Sequence, residues 1–511
     1  MPPLSGEAEL EQPNVHPPPG DYARVSKNAG IYFLGQLLSW AAILIHMIVL
    51  PRFFGAKTTG QWTSTSTLIL MALTPLMFSF EQYLTLEVSK DRARTERLLR
   101  AIYGFRLLLI PIFITICLII LKYSHADRTY FIVGLVIMST GIASFFSSPL
   151  SAILSGYEDA KFLTILSTIT SFTAIFTLFF LPFGVVAIVI AGASFSSFLV
   201  WALMAFKLRK KINLTPEFNI SLWKELLVNG APFLVNSLLL QFTGSLALVI
   251  LWRFSDAANV GTYAVALKLL GSLLFIPTVI TSAILPSVAR LAQTNMAKLE
   301  NVQRRIFVIV LIAAFGVSAE TWFVGEGMIN LIYKNRFPGL ALAFQCTIFQ
   351  IVPVFITTTL YSFLVVRNKN RVWSIFLVLT LVLNVIFCWI GIPLSIHWLR
   401  NASVGAIVAS GASEMISSLF GIFLLKMNLF DRRSVLQFVR ICFATALMSL
   451  VMWLLRDIFF VVPAVVGGAV FVFTIWKMKV LELEDQEKIV QLFQNKFDPI
   501  ISRLKKTFLR G

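Results

Sequence analysis

The chain is built from apolar runs that are each long enough to cross a lipid bilayer as a helix. A membrane-spanning helix needs about 20 mostly apolar residues, and such runs cover most of the sequence after residue 27. Only 13% of the 511 residues are charged, against about 25% in soluble domains. The sequence therefore predicts an all-α polytopic membrane protein.

Fourteen candidate spans can be delimited in the sequence. They lie near residues 30–50, 63–84, 104–122, 129–149, 161–181, 183–206, 232–252, 262–286, 305–324, 340–364, 372–392, 403–425, 435–455 and 457–476. The tight connections at 181–184 and 456–457 are the places where two spans are most easily miscounted.

The distribution of basic residues predicts that both termini lie in the cytoplasm. Lys and Arg collect in cytoplasmic loops. Of the 43 Lys and Arg residues, 33 fall in the alternate segments that include both termini and nine fall in the others. The remaining one, Lys268, lies within a span. Because attraction to the cytoplasmic leaflet explains the net charge of +18, no nucleic-acid partner is expected.

A faint internal repeat divides the chain into two halves. The block at 50–62 aligns with the block at 251–263 at an offset of 201 residues, and Leu, Arg, Phe, Ala and Gly recur in register. Six spans separate the blocks, so both halves have the same orientation and the pseudo-twofold axis runs along the membrane normal. Two such six-helix lobes facing a central cavity are typical of transporters.

These patterns predict the organisation of the whole chain. The segments are a disordered cytoplasmic tail at 1–27, an N-terminal lobe at 28–206, a basic cytoplasmic linker at 207–229, a C-terminal lobe at 230–425, two additional spans within 426–477 and an amphipathic cytoplasmic tail at 478–511. The N-terminal tail lacks a basic n-region leading into a short apolar h-region. The four cysteines are isolated, so neither a metal site nor a disulfide framework is predicted, and no cofactor is expected.

Ionisable side chains within spans are the first candidates for function. Each costs about 2.5–3.5 kcal/mol at a helix centre and usually faces a cavity. Lys268 in span 8 is the main candidate for cavity lining, with snorkelling to the interface as the alternative. Glu81 in span 2 and Glu414 in span 12 are candidates for proton coupling. The alternative for Glu81 is a structural pairing with the basic loop that starts at Lys90. The alternative for Glu414 is an interhelical hydrogen bond.

Four further residues are predicted to contact a cargo. Arg52 and Arg253 occupy equivalent places at the outer ends of spans 1 and 7, where interfacial anchoring or helix C-capping is the alternative. Asn236 and Gln241 in span 7 supply amides that bind sugar hydroxyls or, alternatively, join helices.

Several short motifs carry a resemblance to a known family. They are Leu50-Pro51-Arg52-Phe53-Phe54-Gly55 with Gly60 and Trp62, Asn229-Gly230-Ala231-Pro232, Val260-Gly261-Thr262-Tyr263, Lys268, Pro277, Ile284-Leu285-Pro286-Ser287, Leu331-Ile332-Tyr333 and Gly405-Ala406. In their order and spacing the chain resembles the polysaccharide and O-antigen repeat-unit flippases of the multidrug/oligosaccharidyl-lipid/polysaccharide (MOP) exporter superfamily.

The resemblance implies a transporter, not an enzyme, in a bacterial cytoplasmic (inner) membrane. Its cargo would be a polyprenyl-pyrophosphate-linked oligosaccharide, flipped to the outer leaflet by alternating access between the lobes. Membrane lipids and polysaccharide polymerase or export machinery would be its partners. Family members often carry an acidic residue midway along span 7, where this chain has Gly244-Ser245-Leu246-Ala247, so ion coupling through that carboxylate is in doubt.

Three alternatives follow from the same residues. A cation-coupled multidrug exporter of the same superfamily would carry an acidic site in span 1 or 7, and both spans lack Asp and Glu. A lipid II flippase shares the fold and the charge pattern. A membrane-embedded glycan enzyme would carry its chemistry on a sizeable outer loop, and the predicted outer loops are short.

Overall fold

A computed structural model describes residues 19–123, 127–294, 296–367, 370–425 and 432–480. Within these ranges the regular elements are helices, and no strand is present. The predicted all-α membrane fold is therefore confirmed. Residues 1–18 of the predicted N-terminal tail and 481–511 of the predicted C-terminal tail lie outside the described residues.

Seventeen α-helices follow one another along the described chain. The first half contains α1 (Pro19–Met77), α2 (Phe80–Lys90), α3 (Thr95–Tyr123), α4 (Arg128–Gly156), α5 (Ala160–Phe176), α6 (Val185–Val189) and α7 (Phe195–Leu208). The second half contains α8 (Ile220–Phe254), α9 (Ala257–Leu273), α10 (Phe275–Thr294), α11 (Met296–Tyr333), α12 (Leu340–Cys346), α13 (Ile348–Val366), α14 (Asn370–Leu399), α15 (Ala402–Leu425), α16 (Arg432–Leu454) and α17 (Val461–Lys477).

The number of membrane-spanning helices agrees approximately with the prediction of fourteen. Among the described residues, ten helices are long and apolar enough to cross a bilayer, or up to twelve when each of two bent pairs is counted as one span. The pairs are the later part of α1 with α2, bent by 44°, and α12 with α13, bent by 42°. The shorter apolar helix α17 and the part of α1 before Gly55 correspond to the other two predicted spans.

Both repeat blocks contain a break between consecutive helical segments. In the first block, Gly55 interrupts α1 with φ 80° and ψ 179°, a backbone conformation that side chains with a Cβ rarely adopt. In the second block, α8 ends at Phe254 and α9 begins at Ala257. There the Asp256 carboxylate accepts a hydrogen bond of 2.9 Å from the Asn259 amide, a typical N-cap. The helices of the two halves therefore break at equivalent places.

Two helix boundaries differ from those expected. α1 begins at Pro19, nine residues before the expected start of the first lobe, because proline is preorganised for the first helical turn. α7 ends at Leu208 and α8 begins at Ile220, so the helix-free part of the basic linker is 209–219.

Four apolar clusters fill the interior, two in each half. In the first half they centre on Phe80 and on Phe113. In the second half they centre on Phe344 and on Phe355. The last of these clusters also contains Phe471 of α17, so the two additional C-terminal helices pack against the second half. In a bilayer, apolar contacts of this kind stabilise helix association through van der Waals packing.

Candidate functional site

The two halves touch through glycine at the end of the bundle predicted to face outward. A Cβ built on Gly60 of α1 would lie 1.7 Å from the carbonyl oxygen of Ala257. A Cβ built on Gly261 of α9 would lie 2.0 Å from the carbonyl oxygen of Ala56. Each segment therefore has the small-xxx-small pattern that permits close backbone approach. We call this contact between residues 56–60 and 257–261 the glycine seal.

A small cavity next to the glycine seal holds the main candidate residue. Lys268 of α9 and His46 of α1 line this cavity, whose volume is about 80 Å³, together with Thr59 and Trp62. The Lys268 side chain is exposed, whereas most of its neighbours on α9 are buried. No Asp or Glu is among the described residues that line the cavity. Because ligand pockets usually measure about 300–1,000 Å³, a large cargo requires the halves to separate.

Arg52 and Arg253 lie where the sequence predicted, but the structure does not bring them to the Lys268 cavity. Arg52 lies three residues before the break at Gly55, and Arg253 lies in the last turn of α8. Both side chains are exposed, and neither lines the cavity. The two arginines thus lie beside the helix breaks and do not line the cavity.

The two amide side chains of α8 contact other protein groups. The Asn236 carbonyl oxygen accepts a hydrogen bond of 2.7 Å from the Ser374 hydroxyl of α14. The Gln241 amide donates to the Ser245 hydroxyl, one turn further along α8, at 3.0 Å. These contacts favour the alternative in which the amides stabilise helices and helix packing.

Glu81 forms an ion pair with Arg106 of α3, which favours the alternative of a structural pairing. The Arg106 guanidinium, whose side chain is 0% exposed, donates to the Glu81 carboxylate. The Ser148 hydroxyl donates to the same carboxylate oxygen at 2.6 Å and accepts from Arg106 at 2.9 Å. Arg106 lies within the predicted third span, on α3, which begins at Thr95 and carries this side chain into the core. The sequence signal for this pair is an arginine in the third span, next in the chain after the second span that carries Glu81.

Glu414 lies in a polar region between helices of the second half, away from the Lys268 cavity. It is partly exposed on α15. Nearby on the same helix, the Ser410 hydroxyl accepts a hydrogen bond of 3.1 Å from Asn384 of α14. Glu81 and Glu414 therefore lie in different halves, each within its own polar cluster.

A polar network joins the halves at the end predicted to face the cytoplasm. Arg94 pairs with Glu225 of α8 and with Glu87 of α2. The Tyr83 hydroxyl donates to Glu225 at 3.1 Å and accepts from the Asn229 amide at 3.3 Å. We call this group the basal network. The glycine seal and the basal network thus hold the two halves together at opposite ends of the bundle. Lys268 lies near the glycine seal.

Comparison with known protein families gives one broad match. A family profile described as "Polysaccharide biosynthesis protein" matches residues 25–292, which is more than half of the chain. No curated protein matches the sequence significantly.

Solved structures of membrane transporters share the fold. The lipid II flippase MurJ in an inward closed conformation superposes with a TM-score of 0.71 at 13% identity, covering 88% of this chain and 98% of that one. An inward-facing multidrug resistance MATE family transporter of the MOP superfamily gives 0.58 at 14% identity, with 78% and 94% covered. An outward-facing multidrug resistance MATE family transporter of the MOP superfamily gives a TM-score of 0.51 at 15% identity, covering 76% of this chain and 93% of that one.

At these identities the structural likeness concerns the fold alone, whereas the family profile covers the sequence itself. This chain belongs to the polysaccharide biosynthesis protein family, and it has the fold seen in the MurJ and MATE transporter structures.

Proposed function

We propose that the protein flips a polyprenyl-pyrophosphate-linked oligosaccharide from the cytoplasmic to the outer leaflet of a bacterial cytoplasmic membrane. It acts as a transporter and catalyses no covalent step. Both termini face the cytoplasm, where the lipid-linked glycan is made, and the polysaccharide polymerase or export machinery takes the cargo on the other side. The family match and the transporter fold support this function.

The observation that carries the proposal is the cationic cavity between the halves. Lys268 and His46 line it, and no carboxylate is among its described lining residues. A lysine ammonium is a compact charge with three hydrogen-bond donors and is well suited to a phosphate group. A multidrug exporter for cations would instead be expected to present an acidic group at this interface.

The two end contacts supply the means of alternating access. In this structure the glycine seal closes the halves at the end predicted to face outward, and the basal network joins them at the other end. Opening the basal network admits the pyrophosphate to Lys268, and parting the glycine seal releases it outward. Arg52 and Arg253, exposed at the outer helix ends, then lie along the exit of the anionic group.

Mass spectrometry of polyprenyl-linked lipids tests this function. Cells lacking the gene are expected to accumulate a pyrophosphate-linked oligosaccharide on the cytoplasmic face. Wild type and Lys268→Arg should relieve the accumulation, the latter incompletely, because arginine retains the charge with a different geometry. Lys268→Ala should not relieve it. Lys122→Ala, at the exposed end of α3, is the matched control and should behave as wild type.

Other results would point elsewhere. Accumulation of lipid II in the deletion strain would identify the cargo as the peptidoglycan precursor. Unchanged lipids together with greater sensitivity to cationic compounds would indicate drug export. Full activity of Lys268→Ala, with normal protein level in the membrane, would remove the cavity as the pyrophosphate site.

A further inference from the structure

A second and much larger cavity lies wholly within the first half of the protein. It measures about 510 Å³ and is lined by α2, α4, α5 and α7, within the usual size range of ligand pockets. It extends from Glu81 to Ser155, the last residue but one of α4, and so reaches towards the end predicted to face the cytoplasm. We call it the lobe pocket.

The lobe pocket has hydroxyl and amide groups on several walls. Ser151 and Ser155 come from α4, Ser167 and Thr170 from α5, and Gln82 from α2. Ser155, Ser167 and Thr170 each donate to a carbonyl of their own helix, at 2.8–2.9 Å. Since each donor hydrogen is used in this way, these oxygens offer lone pairs to a ligand that donates hydrogen bonds.

Other side chains in the same pocket are free to donate as well as accept. Gln82, Ser147 and Ser151 have no side-chain hydrogen-bond partner among the described residues. Polar groups in a membrane-embedded wall are costly unless they find partners. The complementary ligand is therefore one whose groups both donate and accept, as sugar hydroxyls do.

The charge of the lobe pocket excludes the phosphate end of a lipid-linked glycan. No Lys or Arg is among its described lining residues. Its one carboxylate, Glu81, is neutralised by Arg106 and receives the Ser148 hydroxyl. An uncharged polar site of this kind suits a neutral glycan, whereas Lys268 suits the pyrophosphate.

The remaining wall and the second half of the protein support the same reading. Leu163, Leu166 and Met204 give the pocket an apolar side, against which the C–H faces of sugar rings can pack. In the second half, the successive helices α14 and α15 pack closely, and a Cβ on Gly405 would lie 2.5 Å from the Gly391 carbonyl oxygen. In the first half, α5 and α7 share a much smaller contact, which leaves room for the lobe pocket between them.

We propose that the lobe pocket binds the neutral sugar portion of the lipid-linked cargo, separately from the pyrophosphate at Lys268. This inference rests on the proposed function. It divides recognition between two places, with the charged group at the interface of the halves and sugar hydroxyls inside the first half.

Binding of two lipids to the purified protein in nanodiscs tests the division. The probes are polyprenyl diphosphate without sugar and the oligosaccharide-linked polyprenyl diphosphate from the parent cells, measured by native mass spectrometry. Ser151→Leu, which fills the pocket, should weaken binding of the glycosylated lipid at least tenfold and leave the sugar-free lipid unchanged. Ser151→Ala, which removes one hydroxyl, should give a smaller loss. Lys268→Ala should weaken both lipids.

Thr115→Leu is the matched control, because Thr115 is exposed on α3 and donates to its own helix; it should bind both lipids as wild type does. If wild type binds the glycosylated lipid and Ser151→Leu binds it equally well, the pocket hydroxyls only satisfy their own helices and this inference is overturned, while the proposed function stands. Equal weakening of both lipids by Ser151→Leu would overturn it too. If wild type binds neither lipid, the proposed function fails, and this inference fails with it.

Discussion

Asn229 and Asn236 lie two turns apart on α8, yet they hydrogen-bond to opposite halves of the protein. Asn229 donates to Tyr83 of α2 at 3.3 Å, whereas Asn236 accepts from Ser374 of α14 at 2.7 Å. Between them Pro232 removes one backbone donor from the helix. α8 therefore bridges the two halves: its first turns contact the first half, whereas the turns after Pro232 contact the second half.

Loosening the basal network should release the first turns of α8. Glu225→Gln removes the charge that pairs with Arg94. Because both side chains are partly exposed, we expect a loss of less than about 1 kcal/mol in the free energy of unfolding. Hydrogen exchange of the amides at 220–230 should become several-fold faster. Glu217→Gln, which breaks the ion pair between Glu217 of the linker and Arg100 of α3, should leave the exchange rate of these amides unchanged. Equally faster exchange in both variants would contradict the role of Glu225 in holding the first turns of α8.

Adding a methyl group at the glycine seal should force the two halves apart. In Gly261→Ala the new Cβ would meet the Ala56 carbonyl at 2.0 Å, and overpacking of this kind costs about 1–3 kcal/mol. A Thr63→Cys reporter beneath the seal, in a background without the four native cysteines, should react several-fold faster with an impermeant maleimide added outside. Gly271→Ala lies on the same helix, where a Cβ meets nothing within 4 Å, and should not change the rate. Unchanged labelling of Gly261→Ala would show that the seal does not limit access.

Removing one partner of the buried Arg106–Glu81 pair should be more harmful than removing both. Arg106→Met leaves the carboxylate without its charge partner, a change that costs about 3–5 kcal/mol in buried pairs. The double variant Arg106→Met/Glu81→Gln should recover a large part of this loss, because no isolated charge remains. Thermal unfolding in detergent measures both. Additive losses in the double variant would mean that the two residues act independently.

The ion pair between Asp159 and Lys207 should make stability depend on acid pH. Partial burial by itself raises the pKa of Asp159, but hydrogen bonds from Lys207 and the Phe162 amide and the charge of Lys207 outweigh it, so the pKa is lowered overall. The stabilisation is therefore present above the unfolded-state pKa of about 3.9 and is lost as the pH falls through the lower folded-state value.

Unfolding midpoints between pH 7 and pH 3 check this expectation. Asp159→Asn retains a side-chain oxygen to cap α5 at Phe162 and should show a flatter profile than wild type. Asp91→Asn is the control, because Asp91 caps a helical turn at Ala93 without an ion pair among the described residues. A wild-type profile as flat as that of Asp159→Asn would contradict the assigned pKa direction.

The fold followed from the sequence to the extent that it depends on apolar length and on repeated motifs. The spans were visible because a bilayer imposes a minimum helix length, and the break at Gly55 coincides with a repeat block. The glycine seal was indicated by the glycines that recur in register at Gly60 and Gly261, although their mutual contact was not foreseen.

The candidate site was less predictable, because contacts between distant helices decide it. Lys268 could be selected by its charge within a span, but its cavity neighbour His46 comes from a helix more than 200 residues earlier. Arg106 falls within the predicted third span, but its pairing with Glu81 of α2 depends on how the two helices pack. The lobe pocket left no sequence signal, since hydroxyl side chains are common in membrane helices and only packing shows which of them share a space.

The reciprocity of the glycine seal bears on the origin of the chain. Gly261 packs against the carbonyl of Ala56, and Gly60 packs against the carbonyl of Ala257. Equivalent residues of the two repeat blocks therefore make the two contacts reciprocally. This is the pattern of an isologous interface between two identical subunits. In its geometry the seal has the two-fold symmetry of a homodimer contact, made within one polypeptide by two repeated segments.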